Sequence, residues 1–129
     1  MENDKLDTLF DMQYSLDKEI EVTRDLGGIS KDVWIQRETL AMLSELAELI
    51  DEVNFKWWKN KKEIDEDRVK SELVDILHFF ISMCLKMDMT AEELYNLYLD
   101  KNKENFDRQH GKSQKPGYSI EEFKKSINE

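Results

Sequence analysis

Apolar residues recur at three- and four-residue intervals through most of this chain, and across 129 residues only one proline and four glycines interrupt them. A helix gathers such positions on one face, whereas a half-buried strand needs strict alternation. With so few residues that break or turn a backbone, long helices joined by short connections are the fold class this pattern permits. A first helix is expected over about residues 3 to 26, with Leu6, Leu9, Phe10, Leu16 and Ile20 as its stripe and Gly27-Gly28 as its end. A second begins near Ser30 to Asp32, either a fitting N-cap, and runs through Leu40, Leu43, Leu46, Ala47, Ile50 and Val53 to about Trp58. The polar stretch from Asn60 to Asp67 reads as a loop. A third helix extends to about Met87, with Val69, Leu73, Ile76, Leu77, Phe80, Cys84 and Leu85 as its buried set. Thr90-Ala-Glu-Glu93 has the form of a capping box and opens a fourth. Lys115-Pro116-Gly117-Tyr118 forms a turn, and Ser119-Ile-Glu-Glu122 caps a short terminal helix. The expected architecture is all-α, a four-helix-bundle core with a short C-terminal helix, in one domain over residues 1–129.

A net charge of −10 argues against a general nucleic-acid binder, which needs a basic face for phosphates. It leaves room for a small phosphorylated ligand if cations offset the acidity where phosphates approach. The lone Cys84 lies in an apolar run and cannot staple the chain, which fits a reducing compartment. No apolar stretch approaches membrane-spanning length, and the first residues lack signal-peptide character. The expectation is a cytoplasmic protein without a membrane partner.

Two acidic steps stand inside the helical runs: Glu45-Leu-Ala-Glu48 and Glu72-Leu-Val-Asp75. Residues three apart share a helix face, so each step projects two carboxylates together, and two such helices side by side would gather four. Anions in contact repel unless cations lie between them, and hard divalent ions suit an all-oxygen set. A solvated acidic face is the plainer alternative and stays open for either step taken alone. Gln13 falls on the apolar stripe of the first helix, either as a boundary residue reaching water or backbone, or as an amide kept inward to read a polar ligand. Lys101, Asn105 and Arg108 share one face near the end of the fourth helix, as exposed helix charge or as holders of a polyphosphate tail, with Tyr118 a further hydroxyl. Phe55, Trp57 and Trp58, with Lys56 and Lys59, crowd the end of the second helix as core or dimer contacts or as a stacking platform. His78 reads as a hydrogen-bonded residue packed on the third helix. No Gly-x-Ser-x-Gly or P-loop is present, which leaves metal-assisted hydrolysis of a phosphoanhydride as the chemistry the acidic residues suit.

Taken in order, these residues resemble the dimeric all-α dUTP pyrophosphatases, within the larger all-α nucleoside-triphosphate pyrophosphatase superfamily that includes the MazG proteins. The acidic signature is matched by Glu45, Glu48, Glu72 and Asp75. Met12-Gln13-Tyr14-Ser15-Leu16-Asp17, Phe55-Lys56-Trp57-Trp58-Lys59 and Lys101-x-x-x-Asn105-x-x-Arg108 with Gly117-Tyr118 point to the dUTP branch. The resemblance implies that the four carboxylates bind two or three Mg²⁺ ions. Water then attacks the α-phosphorus of dUTP, with Glu45 as general base and Glu48 close behind. It further implies that Gln13 and Asp17 meet the uracil edge, that Trp57 or Trp58 closes the pocket, and that Lys59, Lys101, Asn105, Arg108 and Tyr118 hold phosphates. It also implies a homodimer, an effect of limiting uracil in DNA, and dUDP as a further substrate to test. Two departures stand out: Asp17 where relatives often carry Asn, and a longer segment between Arg108 and Tyr118. The alternatives are a house-cleaning pyrophosphatase for dCTP or modified nucleotides, and a non-catalytic helical binding or regulatory protein.

Overall fold

The structure, a computed structural model, describes residues 3–129, and among them are five helices and no strand. These are α1 (Lys5–Thr23), α2 (Lys31–Glu52), α3 (Glu66–Lys86), α4 (Ala91–Gln109) and α5 (Ile120–Ser126). No helix is long and apolar enough to cross a membrane. The chain divides into a unit over residues 1–91, holding α1 to α3, and a second over 92–129, holding most of α4 and all of α5.

Polar side chains set the helix starts. Asp4 caps α1 by accepting from the Asp7 amide at 2.8 Å, and the Asp7 carboxylate accepts from the Asp4 amide in return, a capping box built from two aspartates. Asp65 accepts from the amides of Asp67 and Arg68 at the start of α3. Ser119 accepts from Glu122 at the start of α5, as its sequence position predicts. Ser30 holds the N-cap position of α2 without a side-chain bond to the helix.

The helix ends differ from expectation in an instructive way. α1 stops at Thr23, ahead of the Gly27-Gly28 pair, because Asp25 takes a left-handed conformation (φ 53°). The amides of Asp25 and Leu26 then turn back to the carbonyls of Val22 and Glu21, which satisfies carbonyls a helix end leaves open. Asp88 (φ 58°) ends α3 and Gly111 (φ 70°) ends α4 by the same pair of bonds. α2 stops at Glu52, six residues short of Trp58, because Asn54 is left-handed (φ 58°). The Asn54 side chain then clips the loop from both sides, its Nδ2 donating to the Lys62 carbonyl at 2.8 Å and its Oδ1 accepting from the Lys62 amide at 3.0 Å. Asparagine tolerates this conformation better than other side-chain-bearing residues.

Within the first unit α3 packs on both α2 and α1. The α2–α3 pair is antiparallel with a fixed register. Glu38 meets Ser82, Glu45 meets Asp75 and Glu72, and Glu52 meets Arg68 at 3.8 Å, so each seven-residue step along α2 is matched by seven residues back along α3. Phe10, Ile81, Cys84 and Ala91 are buried, and so are four polar residues, Gln13, Asp17, Glu38 and Ser82. Burial also pushes the Cys84 thiol up in pKa. Leu40, Leu43, Leu73 and Leu77, expected in the buried set, are instead exposed, Leu40 by 67%. A helix buries only the faces that meet a neighbour, and these apolar stripes extend beyond those faces.

Replacing Asn54 with alanine keeps the left-handed residue but removes both clips to Lys62. The expected loss is about 1–2 kcal/mol of unfolding free energy in urea titrations, with Asn54→Gly losing less because glycine relieves the backbone.

Candidate functional site

One carboxylate oxygen from each of Glu45, Glu72 and Asp75 lies within 4.8 Å of the others. The two helices bring them together because the register sets the Glu45 position of α2 opposite the Glu72–Asp75 turn of α3. Glu45 Oε2 and Glu72 Oε2 are both buried without a hydrogen-bond partner. The crowding shows in the acidity of Glu45, which is pushed up to about 7, first by sharing a hydrogen bond with Glu72, then by desolvation and by Glu48 and Asp75. Glu48 itself is exposed and outside the three-carboxylate group. Three residues turn a helix about 60° short of a full circle, so Glu48 is rotated toward solvent while Glu45 faces α3. Carboxylates this close, with orphaned buried oxygens, fit a divalent cation bound through oxygen.

One to two turns farther along the same helix pair, α1, α2 and α3 enclose a cavity of about 300 Å³. Gln13, Asp17, Trp34, Glu38, His78, Ser82 and Lys86 are among the residues that line it. Gln13 is buried and inward-facing: its Nε2 donates to Asp17 Oδ1 at 2.9 Å, and its Oε1 lies 2.7 Å from His78 Nδ1. A carboxylate only accepts, which fixes the amide orientation, and the amide oxygen in turn requires His78 to donate through Nδ1. Ser82 Oγ bonds to both Asp17 Oδ2, at 2.8 Å, and Glu38 Oε1. Lys86 lies 2.7 Å from Glu21, 4.0 Å from Asp17 and 4.5 Å above the Trp34 ring. Its ammonium holds Glu21 below the usual carboxylate range, whereas burial raises Glu38.

The structure thus joins Gln13 to Asp17, and Glu45 to Glu72 and Asp75. Trp57 and Trp58 lie on the loop after α2, 83% and 60% exposed, packed edge to face at 4.7 Å, and do not line the cavity. Lys59 lines a separate hollow with Asp51, Asn54, Phe55 and Lys56. In the second unit Arg108 donates to Asn105 at 3.3 Å and to Glu104 at 3.1 Å and lies 5.5 Å over the Tyr118 ring; Lys101 is exposed. Glu38, Ser82, Lys86, Glu21 and Trp34 are cavity residues that sequence reasoning missed. The available signal was a Ser inside the apolar run of α3, two turns beyond Asp75, and a Glu two turns before Glu45.

The chain is thus all-α, with an acidic group and a cavity on one helix pair. The family model described as dUTPase matches residues 5–93, and the chain belongs to that family. It is similar to a dCTP pyrophosphatase of Enterobacteria phage T4, 40% identical over 87 residues that cover 57% of this chain and 51% of the relative. A dCTP pyrophosphatase of Enterobacteria phage LZ5 is 33% identical over 96 residues, 74% of this chain and 54% of that protein. A DNA replication protein of Enterobacteria phage T4 is 38% identical over 81 residues, 52% of this chain and 21% of its own length. The chain spans about half the length of the two pyrophosphatases it matches. No solved structure matches it.

Without metal, Glu45 carries its proton to about pH 7 in the folded chain, against an ordinary value of 4.5. A raised folded value means that its contribution to stability is complete below about pH 4.5 and is lost as pH rises through 7. Thermal unfolding in EDTA across that interval should therefore show the wild-type chain losing stability relative to Glu45→Gln, which carries no titrating group there. Parallel pH profiles for the two would contradict the crowding of these acids.

Proposed function

We propose that this chain is a metal-dependent pyrophosphohydrolase of pyrimidine deoxynucleoside triphosphates, cleaving dUTP to dUMP and pyrophosphate and thereby limiting uracil in DNA. The observation that carries the reading is the placement of a cavity, mostly apolar with a few polar groups, and an acidic group on one antiparallel helix pair. Seven residues separate Glu38 from Glu45 and Ser82 from Asp75, about 10 Å along the helix axis. That offset suits a nucleotide with its base in the cavity and its phosphates at the carboxylates. The family's description supports dUTP, and the names of the two pyrophosphatase relatives support dCTP as the second substrate.

Glu45, Glu72 and Asp75, with Glu48 beside them, would hold the cation, Mg²⁺ by the preference of hard ions for carboxylate oxygen, in two or three copies. Bound there, the cation supplies charge neutralisation for a polyphosphate and acidifies water. Glu45 would accept a proton from the water that attacks the α-phosphorus, and Glu48 stands next to it in the same role. The bond from the α-phosphorus to the bridging oxygen breaks, and pyrophosphate leaves. Gln13 and Asp17 line the base cavity, Trp57 or Trp58 would have to move to cover it, Lys59 is the first unit's candidate for the phosphates, and Lys101, Asn105, Arg108 and Tyr118 are the second unit's. A homodimer belongs to the same proposal, supported by the exposed leucines of α2 and α3, more apolar surface than soluble monomers usually present.

Pyrophosphate release is expected from dUTP and dCTP, with Mg²⁺ and not with EDTA. Glu72→Gln should lower kcat/KM on the order of 100-fold with the fold retained; unchanged turnover would remove the acidic group from the chemistry. Sedimentation should give about twice the chain mass of 15.4 kDa, and a mass equal to one chain would reject the dimer.

A further inference from the structure

The contacts around Ser82 require one more proton than the serine supplies. Its Oγ is bonded to Asp17 Oδ2 at 2.8 Å and to Glu38 Oε1, and a hydroxyl donates only once. Asp17 has both oxygens taken as acceptors, Oδ1 from Gln13 Nε2 at 2.9 Å and Oδ2 from Ser82, with Lys86 at 4.0 Å. The second proton therefore belongs on Glu38, which is 8% exposed and which burial drives toward its neutral state. Glu38 donates through Oε1 to Ser82, and Ser82 donates to Asp17. This leaves Glu38 Oε2 as a carbonyl-type acceptor, buried, on a residue lining the cavity, and with no hydrogen-bond partner. A buried acceptor without a partner, on a residue that lines a cavity, calls for a donor.

Several neighbouring donors are already engaged, and Arg37, which also lines the cavity, brings no hydrogen bond to Oε2. Gln13 Nε2 serves Asp17, His78 Nδ1 serves Gln13, and Lys86 is paired with Glu21. Resting on the reading of this cavity as the base site of a pyrimidine nucleotide, but reversing the order of its two substrates, we propose that Glu38 Oε2 accepts the exocyclic amino group of cytosine, so that Glu38 makes the site selective for dCTP over dUTP. Cytosine presents N–H groups at its 4-position, and these satisfy Oε2. Uracil presents a carbonyl oxygen at the same place, which sets acceptor against acceptor. The one N–H of the uracil pairing edge lies between two carbonyl oxygens, and turning it toward Oε2 brings one of them into a lining that also carries the Asp17 and Glu21 carboxylates. Asp17 contributes by holding the Ser82 hydroxyl, which keeps Glu38 oriented; it acts through Glu38 as a positioning residue.

The test measures kcat/KM for dCTP and for dUTP on the same preparation, so that the ratio is independent of the fraction of active protein. The wild-type ratio should favour dCTP by about tenfold or more, the scale set by one hydrogen bond to a neutral group. Glu38→Met keeps the bulk but has no oxygen acceptor, and should lower the ratio by about the same factor. Glu38→Gln should retain it, because the amide nitrogen can donate to Ser82 while its oxygen faces the cavity. A wild-type preference for dUTP, or a ratio that Glu38→Met leaves unchanged, overturns the proposal and leaves the pyrophosphohydrolase reading standing. Calorimetric titration with dCMP and dUMP in Mg²⁺ separates the two ideas. Tighter dCMP binding that Glu38→Met abolishes supports the proposal even where neither triphosphate is hydrolysed, an outcome that refutes only the catalytic reading. Equal binding of dCMP and dUMP by the wild-type chain overturns the proposal whatever the turnover.

Discussion

The register between α2 and α3 is the constraint on which the site depends. Because the helices run antiparallel, one alignment sets Glu45 against Glu72 and Asp75 and, two turns away, Glu38 against Ser82. Adding a single residue between Glu38 and Glu45 would advance one helix by about 1.5 Å and rotate it by about 100°, parting one contact as it kept the other. The connection from Val53 to Asp65, held mainly by the Asn54 clip, lies outside that stretch and can change length at small entropic cost. Spacing within the helices is therefore rigid where the loops are permissive.

The interior this register builds is polar to an unusual degree. Gln13, Asp17, Glu38 and Ser82 are buried along with Phe10 and Ile81, and their bonds run in a chain from His78 through Gln13, Asp17 and Ser82 to Glu38. Such a chain orders its members by fixing which atom gives each proton and which receives it. It also leaves a vacancy at one end, Glu38 Oε2, and partnerless oxygens on Glu45 and Glu72 in the acidic group. Buried polar atoms without partners cost stability, and their concentration on one helix pair marks where stability has been given up for binding.

Helical spacing made the five helices legible in the sequence, and the three-residue acidic steps made Glu45, Glu72 and Asp75 legible as a group. The helix ends were less so. Val53 to Trp58 continues the apolar spacing of α2, and nothing in the letters shows that Asn54 turns left-handed and stops it. Asp25 does the work that Gly27-Gly28 was expected to do, and Asp88 ends α3 in the same conformation. Glu38 and Ser82 were invisible for a different reason. They are 44 residues apart in the chain and belong to no local motif, so their meeting follows only once the register of two helices is known. Gln13 was noticed as a polar residue on an apolar stripe, and it turns inward to the side chains of Asp17 and His78.

The distribution of the three tryptophans gives the chain two distinct optical populations. Trp57 and Trp58 are solvated neighbours, open to any aqueous quencher. Trp34 lines the cavity with the Lys86 ammonium over its ring. Iodide or acrylamide would silence the first pair and leave the emission of one indole, whose colour and intensity follow the charge above it. The cavity carries its own reporter, and a molecule entering it would announce itself without a label.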